Sequence, residues 1–179
     1  MSSILIVPIR PVDHAELAAL AEPLEASFHI PVSIEETNYL DPSFALDSYR
    51  SQFKSTAIIA KLLERFPQFN GKILGITAVD LFVPVLTYVF GEAQLDGKAA
   101  VVSTFRLQEE FYGLDTDPNL EQTRLLKESV HELGHTFGLF HCHNFDCVMH
   151  SSTSVEEVDL KSAEFCGECC EQLADSVQR

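Results

Sequence analysis

The spacing of His131, Glu132, His135, Gly138 and His141 constrains this 179-residue chain more than any other feature. Upstream, Asp117-Pro118 has the form of a helix start, with Asp as the cap and Pro at the first helical position. Leu126, Val130, Leu133 and Phe137 recur at i, i+4, i+7 and i+11, which marks the buried stripe of one long helix. At about 100° per residue, His131 and His135 lie about 40° apart on successive turns, so both imidazoles reach one point. Glu132 falls in the same arc. Gly138 terminates such a helix because it enters the left-handed region without a Cβ penalty. The sharp turn brings His141 back to the other two histidines, whereas a straight helix would carry it to the wrong face.

Three neutral imidazoles around one point are a zinc ligand set that leaves a fourth position open. An ion held this way lowers the pKa of water to about 7, from about 15.7 in bulk. Glu132 is better placed to bind the metal's water than the metal itself. It would take the water's proton during attack on a carbonyl and return it to a leaving amine, while the ion stabilises the developing oxyanion. Peptide-bond hydrolysis uses all of these parts. The competing reading is three core histidines satisfied by hydrogen bonds. HExxH alone occurs by accident, but requiring Gly and His at the next two positions reduces chance by a further factor of roughly 600, given 8 Gly and 7 His in 179 residues.

Cysteine usage points the same way. Cys142, Cys147, Cys166, Cys169 and Cys170 all lie beyond residue 141. Their clustering in pairs favours metal binding in a reducing compartment over a disulfide framework, and the expected address is the cytoplasm. Four thiolates in two pairs, C-x4-C and C-x2-C, make a closed tetrahedral shell with no place for water. His141 and Cys142 are sequence neighbours that can point to opposite sides of an extended backbone, and one would then serve the first ion and the other a second. In the second pair, Cys169 and Cys170 are both candidates. His143 and His150 are near enough to compete as ligands and otherwise read as surface histidines of a loop.

The N-terminal half alternates strand and helix signals. Ile4 to Ile9, Phe28 to Ile34 and Lys72 to Val79 read as strands. Asp13-His14-Ala15-Glu16 opens one helix, and Phe53, Ala57, Ala60 and Leu63 mark the buried face of another. This βαβαβ order implies right-handed crossovers and a mostly parallel sheet. Leu86 to Leu95 and Lys98 to Leu107, joined at Asp96-Gly97, read as a hairpin that adds one antiparallel edge strand. That strand either completes the sheet or pairs with an extended peptide. Asp80 reads as a strand-end cap, and Asp159 as the cap of the helix carrying Cys166 and Cys169. The fold class expected is α/β, a twisted mixed sheet with packed helices and a metal-bound Cys-rich C-terminal segment. No linker or repeat appears, so residues 1–179 read as one domain, with 142–170 a substructure of it.

Composition excludes other classes. A net charge of −15 is ill suited to nucleic acid, which demands a basic patch. No apolar run approaches the roughly 20 residues of a membrane span, and the Ile4–Val7 run lacks the basic flank of a signal peptide.

HExxHxxGxxH with a downstream methionine, here Met149, resembles the metzincin clan of metallopeptidases. The added run of cysteines narrows the resemblance to the archaemetzincins, on residues 131–169. That resemblance implies a metzincin-like catalytic domain with two zinc ions per chain. His131, His135 and His141 would hold the catalytic ion, with Glu132 as general base. Cys142, Cys147, Cys166 and Cys169 would hold the structural one, the family spacing choosing Cys169 over Cys170. Met149 would form an apolar floor under the histidines. It implies a peptide or protein substrate and leaves endo- versus aminopeptidase mode and oligomeric state open. Many metzincins carry a tyrosine soon after this methionine; here His150-Ser151-Ser152 follows, and no tyrosine occurs after Tyr112. The alternative function is a zinc-stabilised binding protein with little or no proteolysis.

Overall fold

The computed structural model describes residues 2–12, 14–37 and 39–177. Its main sheet contains β1 (Ile4–Pro8), β2 (Val32–Ile34), β5 (Lys72–Thr77), β7 (Gly91–Ala93) and β8 (Ala99–Ser103). Their order is β2-β1-β5-β8-β7, all parallel except β7, which runs antiparallel to β8 at the edge. A smaller sheet of β3 (Leu46–Asp47), β4 (Gln52–Lys54) and β6 (Leu81–Phe82) was not foreseen from sequence, because two- and three-residue strands carry no readable period.

Both faces of the main sheet are covered, so its strands read as continuous apolar runs. On one face Ile4, Ile6, Leu74, Ile76, Ala100 and Val102 pack with α1 (His14–Phe28) and α3 (Pro118–Thr136). On the other, Leu5, Val7, Ile73, Ala99 and Val101 pack with α2 (Ser55–Arg65). Two further helices, α4 (Val155–Leu160) and α5 (Gly167–Val177), follow α3 and extend its side of the core through Val155, Val158 and Leu173.

Several sequence expectations shift. Phe28 ends α1 rather than opening β2; its ring stacks on Phe137 with centroids 5.3 Å apart, and the helix stops before His29, whose φ is +55°. Asp13, the expected cap of α1, lies outside the described residues. The buried face of α2 is Ser55, Ile58, Ile59 and Leu62; Phe53 belongs to β4 and Ala60 faces solvent. The edge strand is only three residues long, and Leu86 to Phe90 instead cross toward the small sheet, where Val89 bridges Leu81. Asp96-Gly97 sits within a longer loop, closed by Gln94 Oε1 accepting from the Lys98 and Ala99 amides at 3.2 Å each. Asp159 lies inside α4 and accepts both Arg124 Nε and Nη2 at 2.7 Å, so it does not cap α5. Asp80 is likewise occupied, by Arg106 and Gln52.

Candidate active site

Helix α3 begins where its local chemistry dictates. Asp117 Oδ1 accepts from the amides of Asn119 and Leu120 at 3.1 and 3.0 Å, and Pro118 follows at the first helical position. It ends as tightly. Gly138 has φ +89°, its amide donates to the His135 carbonyl at 2.9 Å, and the Leu139 amide donates to the Gly134 carbonyl at 3.1 Å. That pair of bonds is a Schellman motif, and it turns the chain so that His141 faces back toward the helix. Lys72 reinforces the end by donating to the carbonyls of Thr136 and Gly97 at 2.6 Å each.

The structure brings His131, His135 and His141 together, with one ring nitrogen from each lying within 4.8 Å of the others. His131 Nδ1 is 2.8 Å from the Val148 carbonyl and His135 Nδ1 is 2.7 Å from that of Leu139. A carbonyl can only accept, so each Nδ1 carries the proton and each Nε2 presents its lone pair. The two Nε2 atoms face one another at 3.1 Å. Two nitrogens at about 2.0–2.1 Å from a tetrahedral ion would be about 3.3 Å apart. Burial holds all three histidines below the usual imidazole value, His131 most strongly, with Lys161 adding to the effect. The donor set is therefore neutral and fits a dication.

Glu132 is buried beside this group. Burial, then the neighbouring Glu128, pushes its carboxyl well above the ordinary glutamate range, while Lys161 acts in the opposite sense. The edge strand passes over it with no side chain. A Cβ on Gly91 would lie 2.6 Å from Glu132 Cγ and 2.8 Å from the Val101 carbonyl oxygen, so glycine is required for this approach. Met149 is fully buried beneath the helix, and a Cβ on Gly134 would stand 2.5 Å from its Sδ.

A second group, Cys142, Cys147, Cys166 and Cys169, lies one residue along from His141. The Sγ atoms of Cys142 and Cys166 are 3.7 Å apart, against about 3.8 Å for two sulfurs at 2.3 Å from a tetrahedral ion. The amides of Asn144 and Cys166 point at Cys142 Sγ and Cys147 Sγ, at 3.4 and 3.3 Å, which favours the thiolate form. Burial raises Cys147 and Cys169, whereas the Cys169 amide lowers Cys166. Four thiolates at this spacing repel one another unless a cation sits between them, so this donor set also fits a dication. Cys170 is exposed, and among the described residues His143 and His150 join neither group; His150 Nδ1 instead meets the Cys142 carbonyl at 2.8 Å.

The histidine group opens onto a cleft of about 350 Å³ lined by Leu86 to Gly91, Glu128, His131, Glu132, His141 and Ser151 to Thr153. Three of its features escaped sequence reasoning: Glu128, Lys161 behind it, and Ser152. Glu128 stands four residues before Glu132, a spacing that marks it as facing the same way. Lys161 and Ser152 carry no such local signal.

The sequence pattern of Peptidase family M54 matches residues 39–175. The chain belongs to this family. Among M54 relatives, the archaemetzincin of Methanocaldococcus jannaschii is 44% identical over 134 residues, covering 75% of this chain and 73% of the relative. That of Pyrococcus abyssi is 38% identical over 100% of this chain and 98% of its own length. Two crystal structures superpose closely. The archaemetzincin of Methanopyrus kandleri has a TM-score of 0.86 at 34% identity, covering 99% of this chain and 96% of that one. A zinc-dependent peptidase from Methanocorpusculum labreanum has a TM-score of 0.86 at 32% identity, covering 95% and 99%. The M54 chain is thus an archaemetzincin-type member of the metzincin clan. None of its described helices is long and apolar enough to cross a membrane.

Proposed function

We propose that this chain is a zinc-dependent peptidase in which His131, His135 and His141 hold the catalytic ion and Glu132 is the general base. Cys142, Cys147, Cys166 and Cys169 hold a structural zinc, which makes residues 142–170 a braced substructure of a single 1–179 domain. The observation that carries the reading is the pair of Nδ1–carbonyl bonds, which turn two Nε2 lone pairs onto one point beside a buried carboxylate.

Bound zinc would supply a Lewis acid that polarises the scissile carbonyl and acidifies a water. The remaining steps fall to the chain. The carbonyls of Val148 and Leu139 fix the ring planes of His131 and His135. Glu132 takes a proton from the attacking water and passes it to the leaving nitrogen, and its burial between α3 and Gly91 limits the directions it can point. Strand β7 is bonded to β8 on one side only, which leaves its other edge for the backbone of an extended peptide. No tyrosine follows Tyr112, so the wall beyond Met149 offers the hydroxyls of Ser151 and Ser152 instead. The five unpaired thiols favour a reducing, cytoplasmic setting.

The test measures zinc per chain together with hydrolysis of a peptide library, for wild type and for Glu132→Ala. Two zinc ions in both, with turnover only in wild type, is the expected result. Unchanged turnover in Glu132→Ala refutes the mechanism. Two ions with no cleavage by wild type would make the chain a zinc-stabilised binding protein.

A further inference from the structure

The cleft wall contains a charged group that peptide hydrolysis as such does not require. Glu128 is only 4% exposed and lines the cleft one turn before Glu132. Behind it, Lys161 is 2% exposed, with Nζ 2.9 Å from Glu128 Oε1 and 3.2 Å from the His150 carbonyl, and it does not line the cleft. Burying an ion pair seldom stabilises a fold relative to an apolar pair of the same volume, so its presence beside a reaction site calls for another role. Two oxygens here, Glu128 Oε1 and Ser152 Oγ, are buried without a hydrogen bond, and both residues belong to the cleft wall. Oε1 meets Lys161 at ion-pair distance but not at a hydrogen-bonding angle.

We propose that Glu128, braced by Lys161, is a specificity-determining residue that selects peptides with a lysine or arginine side chain next to the cleaved bond. This rests on the peptidase reading above. Tyr88 and Phe90, whose rings meet edge to face with centroids 5.5 Å apart, line the same cleft as Glu128 and offer apolar surface suited to the methylene stem of a long basic side chain. Tyr88 Oη donates to the Thr153 carbonyl at 2.8 Å, tying the two walls into a recess for a side chain. A carboxylate has four lone-pair sites, so Glu128 accepts from a substrate cation while Lys161 neutralises it from behind. Ser152 Oγ supplies a second acceptor. A leucine in the recess leaves the carboxylate desolvated and unpaired, and a glutamate adds like-charge repulsion. Affinity therefore falls from Lys and Arg, through Leu, to Glu.

The test is calorimetry on zinc-loaded Glu132→Gln, which binds peptides without cutting them. The probes are blocked hexapeptides carrying Lys, Arg, Leu or Glu at either of the two central positions. At one of those positions Lys and Arg should bind about 10-fold or more tighter than Leu, as expected of a charge-assisted hydrogen bond. Adding Glu128→Leu with Lys161→Met removes one charge of each sign, so the net negative charge of the Glu132→Gln chain, which attracts any basic peptide, is unchanged. The preference should vanish in that background, and also in Glu128→Gln. Equal affinities, no binding by any probe, or a preference that survives Glu128→Leu/Lys161→Met overturns the proposal. Failure of the peptidase reading shows separately, as absence of hydrolysis by wild type.

Discussion

Removing Lys161 should destabilise the chain far more than removing the whole ion pair. In Lys161→Met the Glu128 carboxylate stays almost wholly buried, loses its partner at 2.9 Å, and faces Glu132 one turn away. Stranding one member of a buried pair costs about 3–5 kcal/mol. That range includes about 1 kcal/mol for the lost hydrogen bond from Nζ to the His150 carbonyl, 3.2 Å long. Glu128→Leu/Lys161→Met leaves no uncompensated charge and keeps the volume, so only the lost bond to the His150 carbonyl weighs against it and its cost should be about 1 kcal/mol or less. The assay is urea unfolding at saturating zinc, so that metal binding contributes equally to each variant. With an m-value of about 2 kcal/mol per molar urea for a chain of this size, Lys161→Met should lower the midpoint by about 1.5–2.5 M. The double variant should lie within about 0.5 M of wild type. A single variant with the wild-type midpoint, or a double variant as weak as the single, would refute the assignment of this pair as a buried, mutually dependent unit.

Gly138→Ala places a Cβ at φ +89°; the expected cost is about 1–2 kcal/mol, read as a lower melting temperature, together with weaker zinc binding by the histidine group. Gly134→Ala puts a Cβ 2.5 Å from Met149 Sδ in a packed floor and should cost about 1–3 kcal/mol, which denaturant unfolding will report. Asp117→Ala removes the acceptor for two amides and should cost about 1 kcal/mol without changing turnover on a fixed peptide. A chelator titration should remove the ion of the open histidine site and abolish hydrolysis first. Loss of the closed cysteine-bound ion should follow with a fall in melting temperature, as tracked by metal analysis and circular dichroism.

What the sequence made legible follows from how local each signal is. Helix α3 is written in its own residues, from the Asp117 cap through Val130, Leu133 and Phe137 to Gly138, and the structure corrects the stripe at its first position, where Leu125 is buried and Leu126 only half-buried. The parallel strands were readable because a sheet covered on both faces needs uninterrupted apolar runs, as in Ile4–Pro8 and Lys72–Thr77. Phe28 was misread as strand because its burial against Phe137 is a tertiary contact. The face of α2 was misread because Ala60 fits a helical stripe as well as Ile59 does. In the site, the spacing of the histidines and cysteines foreshadowed which side chains come together, since each ligand lies within a few residues of a partner or of a turn. Lys161 could not be found that way. It reaches Glu128 across 33 positions of sequence, and nothing near it marks a lysine that will be buried.

The most direct test of this account is anomalous diffraction at the zinc edge from crystals of the zinc-loaded chain. Two peaks are predicted, one bonded to the Nε2 atoms of His131, His135 and His141, the other to the sulfurs of Cys142, Cys147, Cys166 and Cys169. A single peak, or a histidine-site peak coordinated by Glu132 in place of His141, would contradict it.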